Sequence, residues 1–164
     1  MKKLIIIGAS GFGKEVYWLA SRCGREVLGF LDDTDEKQGK AFSGSTVLGK
    51  INDWINFKDC DFIIAIGSPS GRKKVSEKMK ELGEPSFCIL IDPSATVGQT
   101  VIVGEGSVIC AGVICTVDIK LGSHVILNIN TTVGHDVKIA DYCTVAPSVS
   151  ISGNIDVESL VEIG

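Results

Sequence analysis

Two histidines occur in the chain, His124 and His135, and the second stands where acid–base chemistry could be done. It lies in the run Thr132-Val133-Gly134-His135-Asp136. Imidazole is the side chain that ordinarily gains and loses a proton around neutral pH, so an outward-facing His135 can serve as a general base. Asp136 can orient the ring or support its positive form. Neighbours on a flat strand point to opposite sides, so this pairing requires a corner or a bend. Eighteen residues on, at 153 against 135, is Gly153. A backbone N–H there, with no side chain in the way, could hold the oxyanion of an attacked acyl group beside the base. Asn128 lies in the preceding hexad, seven residues before His135, and can hydrogen-bond an acceptor. An ordinary surface histidine would have the same spacing. His124 reads as a surface residue. A zinc site on such a scaffold would need about three nitrogen ligands, which two histidines cannot supply, so no metal is expected.

The element that must position these residues repeats every sixth residue. Val97, Val103, Ile109, Cys115, Leu121, Leu127, Val133, Ile139, Val145, Ile151, Val157 and Ile163 are all apolar, with no slip in register. A second set, from Val101 and Ser107 through Val137 and Cys143 to Val161, follows four places after each. Neither a helix, at 3.6 residues per turn, nor an alternating strand has that period. It is the mark of a hexapeptide β-helix, in which short strands turn a corner at each repeat. One coil cannot bury its inner face alone, so the coils must stack. With first and fifth positions inward, His135 falls at an outward third position, and Gly153 falls at the same phase one layer on, roughly 4.8 Å away.

The first half reads differently. Residues 2–7 form a buried strand, and Gly8-Ala9-Ser10-Gly11-Phe12-Gly13 leads into a helix with Val16, Leu19, Ala20 and Cys23 on one face. Gly24 ends that helix. A second strand, Glu26 to Leu31, finishes in Asp32-Asp33. Strand, glycine loop, helix, strand and acid is the order of a nucleotide-binding βαβ unit. The spacing is GxxGxG and not the GxGxxG of the dinucleotide fingerprint, and a tight strand-to-helix turn would use similar residues. The loop opens a helix, whose free N–H groups favour phosphate. The acidic pair could meet a ribose or a base.

Residues 34–58 read as polar, with one or two helical turns around Ile51, Trp54 and Ile55. A third strand, Asp61 to Ile66, ends at Gly67-Ser68, and Ser68 caps a helix with Pro69 at its first position. That helix places Val75, Met79 and Leu82 inward and Arg72, Lys73, Lys74, Lys78 and Lys80 in solvent; Arg72 could approach a phosphate. A fourth strand, Phe87 to Ile91, leads to a boundary near Asp92. The division is thus 1–91, a nucleotide-binding domain, and 92–164, the β-helix. No polar capping end precedes Gly164, so further coils are expected beyond it.

The net charge of −4 argues against nucleic acid and against a polybasic membrane anchor. No stretch approaches the roughly 18 apolar residues that span a bilayer, and Leu4 to Ile7 is too short for a signal peptide core. The six cysteines are scattered without a CxxC pair and read as reduced thiols of a cytoplasmic protein.

The combination GASGFGKEV, LDD, AIGS and VILNINTTVGHD resembles the bacterial nucleotide-sugar acetyltransferases, over the whole chain. These include enzymes that acetylate UDP-4-amino sugars and GDP-perosamine, and the sialic acid O-acetyltransferase group. The resemblance implies a small Rossmann-like α/β domain followed by a left-handed parallel β-helix, a handedness that backbone physics would not have predicted. It implies transfer of acetyl from acetyl-CoA to a sugar amine, with His135 as base supported by Asp136. Gly8, Ser10, Gly11, Phe12, Gly13, Asp32, Asp33, Gly67 and Asn128 would hold the nucleotide sugar. Thr144 and Gly153 would serve acetyl-CoA. Homotrimers with sites between neighbouring β-helices are implied as well. The sequence departs from the family at Phe12, where many relatives carry histidine, and at Thr144, where relatives often have a histidine contacting coenzyme. A sugar O-acetyltransferase, a non-catalytic nucleotide-sugar-binding trimer and a nicotinamide-dependent enzyme are the competing readings.

Overall fold

A computed structural model describes residues 2–164. The first half contains strands β1 (Leu4–Ile7), β2 (Val27–Leu31), β3 (Ala41–Phe42), β4 (Ser45–Gly49) and β5 (Asp61–Ile64), with helices α1 (Gly11–Arg22) and α2 (Pro69–Glu81). The sheet order is β3-β4-β2-β1-β5. β1 lies between parallel neighbours β2 and β5 and is buried on both faces, which is why it reads as an unbroken apolar run. Leu4 and Ile6 face α1 through Val16, Leu19 and Phe30. Ile5 and Ile7 face the other layer, with Trp54, Phe62 and Met79. Gly24, at φ 66°, ends α1 as expected. Ser68 caps α2, its Oγ accepting the Gly71 N–H at 3.4 Å.

The polar stretch 34–58 holds more order than its composition suggests. It carries a hairpin, β3 and β4, whose second strand extends the sheet in parallel with β2, then a 3-10 helix at Ile51–Phe57. Within the hairpin only Val47 is buried, so the pairing of β4 to β2 and of β3 to β4 holds these strands and no apolar pattern announces them. The expected strand from Phe87 to Ile91 divides. Phe87 bridges to Phe62 of the first sheet, whereas Leu90–Ile91 pair with Val108–Ile109 of the β-helix.

From Leu90 onward the chain forms three parallel sheets of two-residue strands, the arrangement of a left-handed β-helix. The first face stacks Leu90–Ile91, Val108–Ile109, Ile126–Leu127, Thr144–Val145 and Glu162–Ile163. The second carries Thr96–Val97, Ile114–Cys115, Thr132–Val133 and Ser150–Ile151. The third carries Ile102–Val103, Lys120–Leu121, Lys138–Ile139 and Asp156–Val157. Both inward sets are buried without exception from Ser107 to Val145. The corners depend on a third set. Gly106, Gly112, Asp118, His124, Asn130, Asp136, Tyr142, Ser148, Asn154 and Leu160 all have positive φ. A left-handed residue every sixth place turns the strand, and Gly, Asn and Asp adopt that conformation at least cost.

The two halves are joined by polar contacts. The Arg72 side chain is fully buried. Its Nη1 donates to the carbonyls of Ile66 (2.7 Å) and Gly67 (2.9 Å), and its Nε to that of His124 (2.8 Å). Its Nη2 donates to the carbonyls of Tyr142 (2.8 Å) and Cys143 (3.0 Å) and to Thr144 Oγ1 (3.0 Å). Burial lowers its pKa to about 10, so it stays charged at neutral pH. This overturns the solvent-facing placement of Arg72. The buried residues of α2 are Pro69, Arg72, Ser76 and Met79, and Leu82 is exposed, because α2 lays Met79 and Val75 on the apolar layer of the sheet while Arg72 and Ser76 meet the corner of the β-helix. At the other end of the joint Asp92 is buried and accepts from Arg22 Nε (2.6 Å) and Nη2 (2.9 Å). The Arg22 guanidinium holds that carboxyl well below the usual carboxylate range.

His124 is also corrected. It is fully buried at the joint, stacked on Tyr142 at 5.1 Å and edge-on to Phe87 at 4.6 Å. Its Nε2 lies 3.2 Å from Ser76 Oγ, and its Nδ1 has no partner. The six cysteines are free thiols, four of them buried. Among the described residues no helix is long and apolar enough to cross a membrane.

Replacing Arg72 with Lys leaves three donors for six acceptors, and loss of about 2–4 kcal/mol is expected in denaturant unfolding. Burial, with help from Lys80 and Arg72, lowers the His124 pKa from 6.5 to about 4. Between those values the unfolded chain binds the extra proton, so stability falls as pH falls. The loss begins below pH 6.5 and is complete below about pH 4, amounting to about 3 kcal/mol. A His124→Asn variant, whose residue tolerates positive φ, should show a flatter stability–pH curve across that window.

Candidate active site

His135 and Asp136 occupy the corner between the second and third faces, directly after the strand Thr132–Val133. Asp136 has φ 58°. That turn breaks the alternation of the strand and swings both side chains to one side, so that His135 Nδ1 lies 2.8 Å from Asp136 Oδ2. A carboxylate oxygen accepts, so Nδ1 is the donor of this pair, and Nε2 makes no hydrogen bond among the described residues. Both residues are exposed. One coil on, the bare Cα of Gly153 underlies the imidazole. A Cβ at that position would sit 2.7 Å from Cε1 and Nε2 of His135. Among the described residues, the Gly153 N–H donates to no backbone acceptor, whereas the next N–H, of Asn154, donates to the His135 carbonyl at 2.9 Å. Beside this corner a cleft of about 450 Å³ is lined by Asp118, Lys120, Asp136, Lys138, Asn154 and Asp156.

The residues expected to hold a nucleotide sugar gather elsewhere. A second cleft, of about 380 Å³, lies between the start of α1 and the first face of the β-helix. Gly11, Phe12, Gly67, Asn128 and Thr144 line it, together with Glu15, Ile126 and Glu162. The glycines of this region divide by cause. Gly8, at φ 105°, and Gly13, whose Cβ would meet the Gly8 carbonyl oxygen at 2.4 Å, are required by the tight strand-to-helix turn. Gly11 and Gly67 would meet nothing within 4 Å. Packing does not demand glycine at those two positions, and both open onto the cleft. Ser10 is exposed and its side chain does not cap α1, so the first N–H groups of the helix stay available to an anion.

The two acids are already engaged within the chain. Asp32 accepts from the N–H groups of Ala9 (2.8 Å) and Thr34 (2.9 Å) and from Lys37 Nζ (3.1 Å). Burial alone would raise its pKa, but the hydrogen bonds from Thr34, Ala9 and Lys37 outweigh it and the pKa is lowered. Asp33 accepts the Ile51 N–H at 2.9 Å and meets Lys78 Nζ at 3.2 Å. Asp32 therefore ties the glycine loop to the end of β2, and Asp33 anchors the 3-10 helix.

The sequence-predicted residues thus fall into two groups on different sides of the prism. His135, Asp136 and Gly153 stand at the corner opposite the first face, while the glycine loop, Gly67, Asn128 and Thr144 meet on or beside that face. The coil length carries this signal. Strands pair eighteen residues apart, as Ile114 with Thr132, so Thr144, nine residues beyond His135, lies half a turn away. The cleft-lining Glu15, Ile126 and Glu162 were not anticipated; Ile126 and Glu162 share the phase of Thr144 and could have been found from it. Among the described residues no three His, Cys, Asp or Glu side chains converge as a metal-binding group.

Residues 3–79 match the family model described as the PglD N-terminal domain. The UDP-N-acetylbacillosamine N-acetyltransferase of Bacillus subtilis (strain 168) is 34% identical over 119 residues, covering 68% of this chain. This chain spans about half, 52%, of that enzyme's length. Among solved structures, the acetyltransferase domain of PglB from Neisseria gonorrhoeae FA1090 in complex with acetyl coenzyme A superposes with a TM-score of 0.84 at 33% identity, over 94% of this chain and 75% of that one. A histidine-to-asparagine mutant of perosamine N-acetyltransferase from Caulobacter crescentus, in complex with CoA and GDP-perosamine, gives 0.86 at 27% identity, over 95% and 74%.

A Gly153→Ala variant should keep its melting temperature within a few degrees, since only the exposed imidazole must move aside. The displaced ring would leave Asp136, and that loss of the 2.8 Å contact should appear in the His135 ring resonances by NMR. With a Rossmann-like sheet, a stacked hexapeptide prism and an identity of 33% over three quarters of a solved relative, the chain belongs to the PglD-type family of nucleotide-sugar N-acetyltransferases.

Proposed function

We propose that this protein transfers acetyl from acetyl-CoA to the amino group of a nucleotide-linked amino sugar, with His135 as general base. The observation that carries the reading is the exposed imidazole seated over a bare glycine and oriented by the carboxylate of its own neighbour. That arrangement serves proton transfer and has no packing purpose at a solvent-facing corner. The named activities and bound molecules of the relatives support the same reading.

The steps follow from the geometry. The sugar amine attacks the thioester carbonyl while His135 Nε2 takes its proton. Asp136 supports the imidazolium that forms, through Nδ1. The negative charge developing on the carbonyl oxygen needs a fixed donor, and the Gly153 N–H, which has no backbone acceptor among the described residues, can supply one from the next coil. Collapse expels the coenzyme thiolate, which takes the proton back from His135. No acyl-enzyme forms, and no cysteine sulfur stands at this corner: Cys115 and Cys143 point into the prism.

The nucleotide sugar is assigned to the cleft of Gly11, Phe12, Gly67 and Asn128, with its diphosphate at the start of α1. Because that cleft lies across the prism from His135, one copy cannot unite acceptor and base. A homotrimer, with sites shared between neighbouring β-helices in a cytoplasmic enzyme of surface-glycan biosynthesis, meets that requirement.

Thiol release from acetyl-CoA with a UDP-4-amino sugar or GDP-perosamine tests this. His135→Ala should lower kcat roughly 10²- to 10⁴-fold. Asp136→Asn, which keeps the corner's tolerance of positive φ, should lower it less. Equal thiol release from native and His135→Ala protein would remove His135 from the reaction. Faster turnover of sugar hydroxyls than of amines would favour O-acetylation.

A further inference from the structure

Thr144 occupies a position where the family resemblance implies a coenzyme contact, yet its surroundings give it another task. Its side chain is buried to within 8% of full cover. Its Oγ1 donates to the Gly67 carbonyl at 2.7 Å and accepts from Arg72 Nη2 at 3.0 Å. The Gly67 carbonyl also accepts from Arg72 Nη1 at 2.9 Å. Arginine, threonine hydroxyl and glycine carbonyl therefore close a small ring of hydrogen bonds. The ring fixes the Gly67 peptide from beneath.

Gly67 is one of the two glycines on the ligand side of the first domain with open space where a Cβ would stand. It lines the same cleft as Gly11 and Phe12. The Thr144 hydroxyl has one proton, and that proton is committed to Gly67. It has no second one to offer a thioester oxygen.

We infer that Thr144 is a positioning residue for the nucleotide sugar: from the first face of the β-helix it holds the Gly67 peptide in the shape the acceptor substrate binds. The inference rests on the proposed acetyl transfer for the identity of that substrate. It assigns to the acceptor side a residue that the resemblance puts on the donor side.

The test is a pair of variants read by calorimetry against two ligands. Thr144→Val keeps the volume and the β-branch but removes the hydroxyl. Arg72 Nη2 retains Tyr142 and Cys143 as acceptors, so the variant folds. Loss of the hydroxyl's hydrogen bond to Gly67 should weaken binding of GDP-perosamine or a UDP-4-amino sugar roughly five- to tenfold and leave the acetyl-CoA Kd unchanged. In steady state the same change should appear in the acceptor KM and not in the acetyl-CoA KM. Thr144→Ser should restore acceptor binding. Weaker acetyl-CoA binding with unchanged acceptor binding would overturn the inference and return Thr144 to the coenzyme. Native and Val proteins indistinguishable toward both ligands would overturn it as well. Native protein that binds neither nucleotide sugar would overturn both this inference and the proposed activity.

Discussion

A single buried guanidinium sets how the two halves of this molecule meet. Arg72 has no carboxylate partner; its charge is spread over five backbone carbonyls and one hydroxyl. Three of those carbonyls belong to residues at the corner between the third and first faces, and two to the loop after β5. Guanidinium suits this role because its donors lie in one rigid plane and its charge is weakly hydrated. Carbonyl oxygens at a corner would otherwise be buried without donors. The joint is thus specific in direction and register, which an apolar contact between α2 and the prism would not be. The bidentate pair of Arg22 and Asp92 fixes the other end.

Every candidate functional feature inherits its place from that joint or from the corner geometry. The cleft at the start of α1 exists because the first domain is docked on the first face, with Thr144 and Gly67 at the seam. The His135–Asp136 pair exists because residue 136 is left-handed. One conformational requirement, repeated every sixth residue to turn a strand, also brings two consecutive polar side chains together at one corner. At the same phase elsewhere it yields quite different results. His124 is turned inward toward Ser76 and Phe87, because the first domain covers its corner. The two histidines, eleven residues apart by number (135 − 124), thus differ in setting: His124 is fully buried at the joint and His135 is exposed.

Some of this was plain in the chain. The six-residue beat marked the inner surface of the prism, since an interior of stacked coils admits only small and apolar groups at fixed phase. The cap at Ser68-Pro69, the stop at Gly24 and the strand β1 were legible because each rests on local backbone chemistry. The His135, Asp136 and Gly153 cluster followed from stacking at eighteen residues. The hairpin at β3 and β4 was not legible: edge strands held by pairing alone carry little pattern. Arg72 looks solvated in sequence because lysines follow it at 73, 74, 78 and 80. Val75 and Met79 do face the apolar layer, but α2 touches a second, polar surface that no apolar pattern marks, and Leu82 is exposed.

Local and periodic order was therefore determined by the sequence itself: two kinds of fold, the strand and helix starts, the inward phase of each coil and the residues able to do chemistry. Tertiary structure alone decided which side of the prism the first domain covers. That choice buried His124 and Arg72, joined Thr144 to Gly67, and set the ligand cleft apart from His135. The physical reason is that periodicity specifies phase around the coil axis but not what docks there. Docking joins an apolar cluster shared by both halves, the Arg22–Asp92 pair and the match between Arg72 donors and a row of carbonyls, and backbone carbonyls leave no trace in the side-chain pattern.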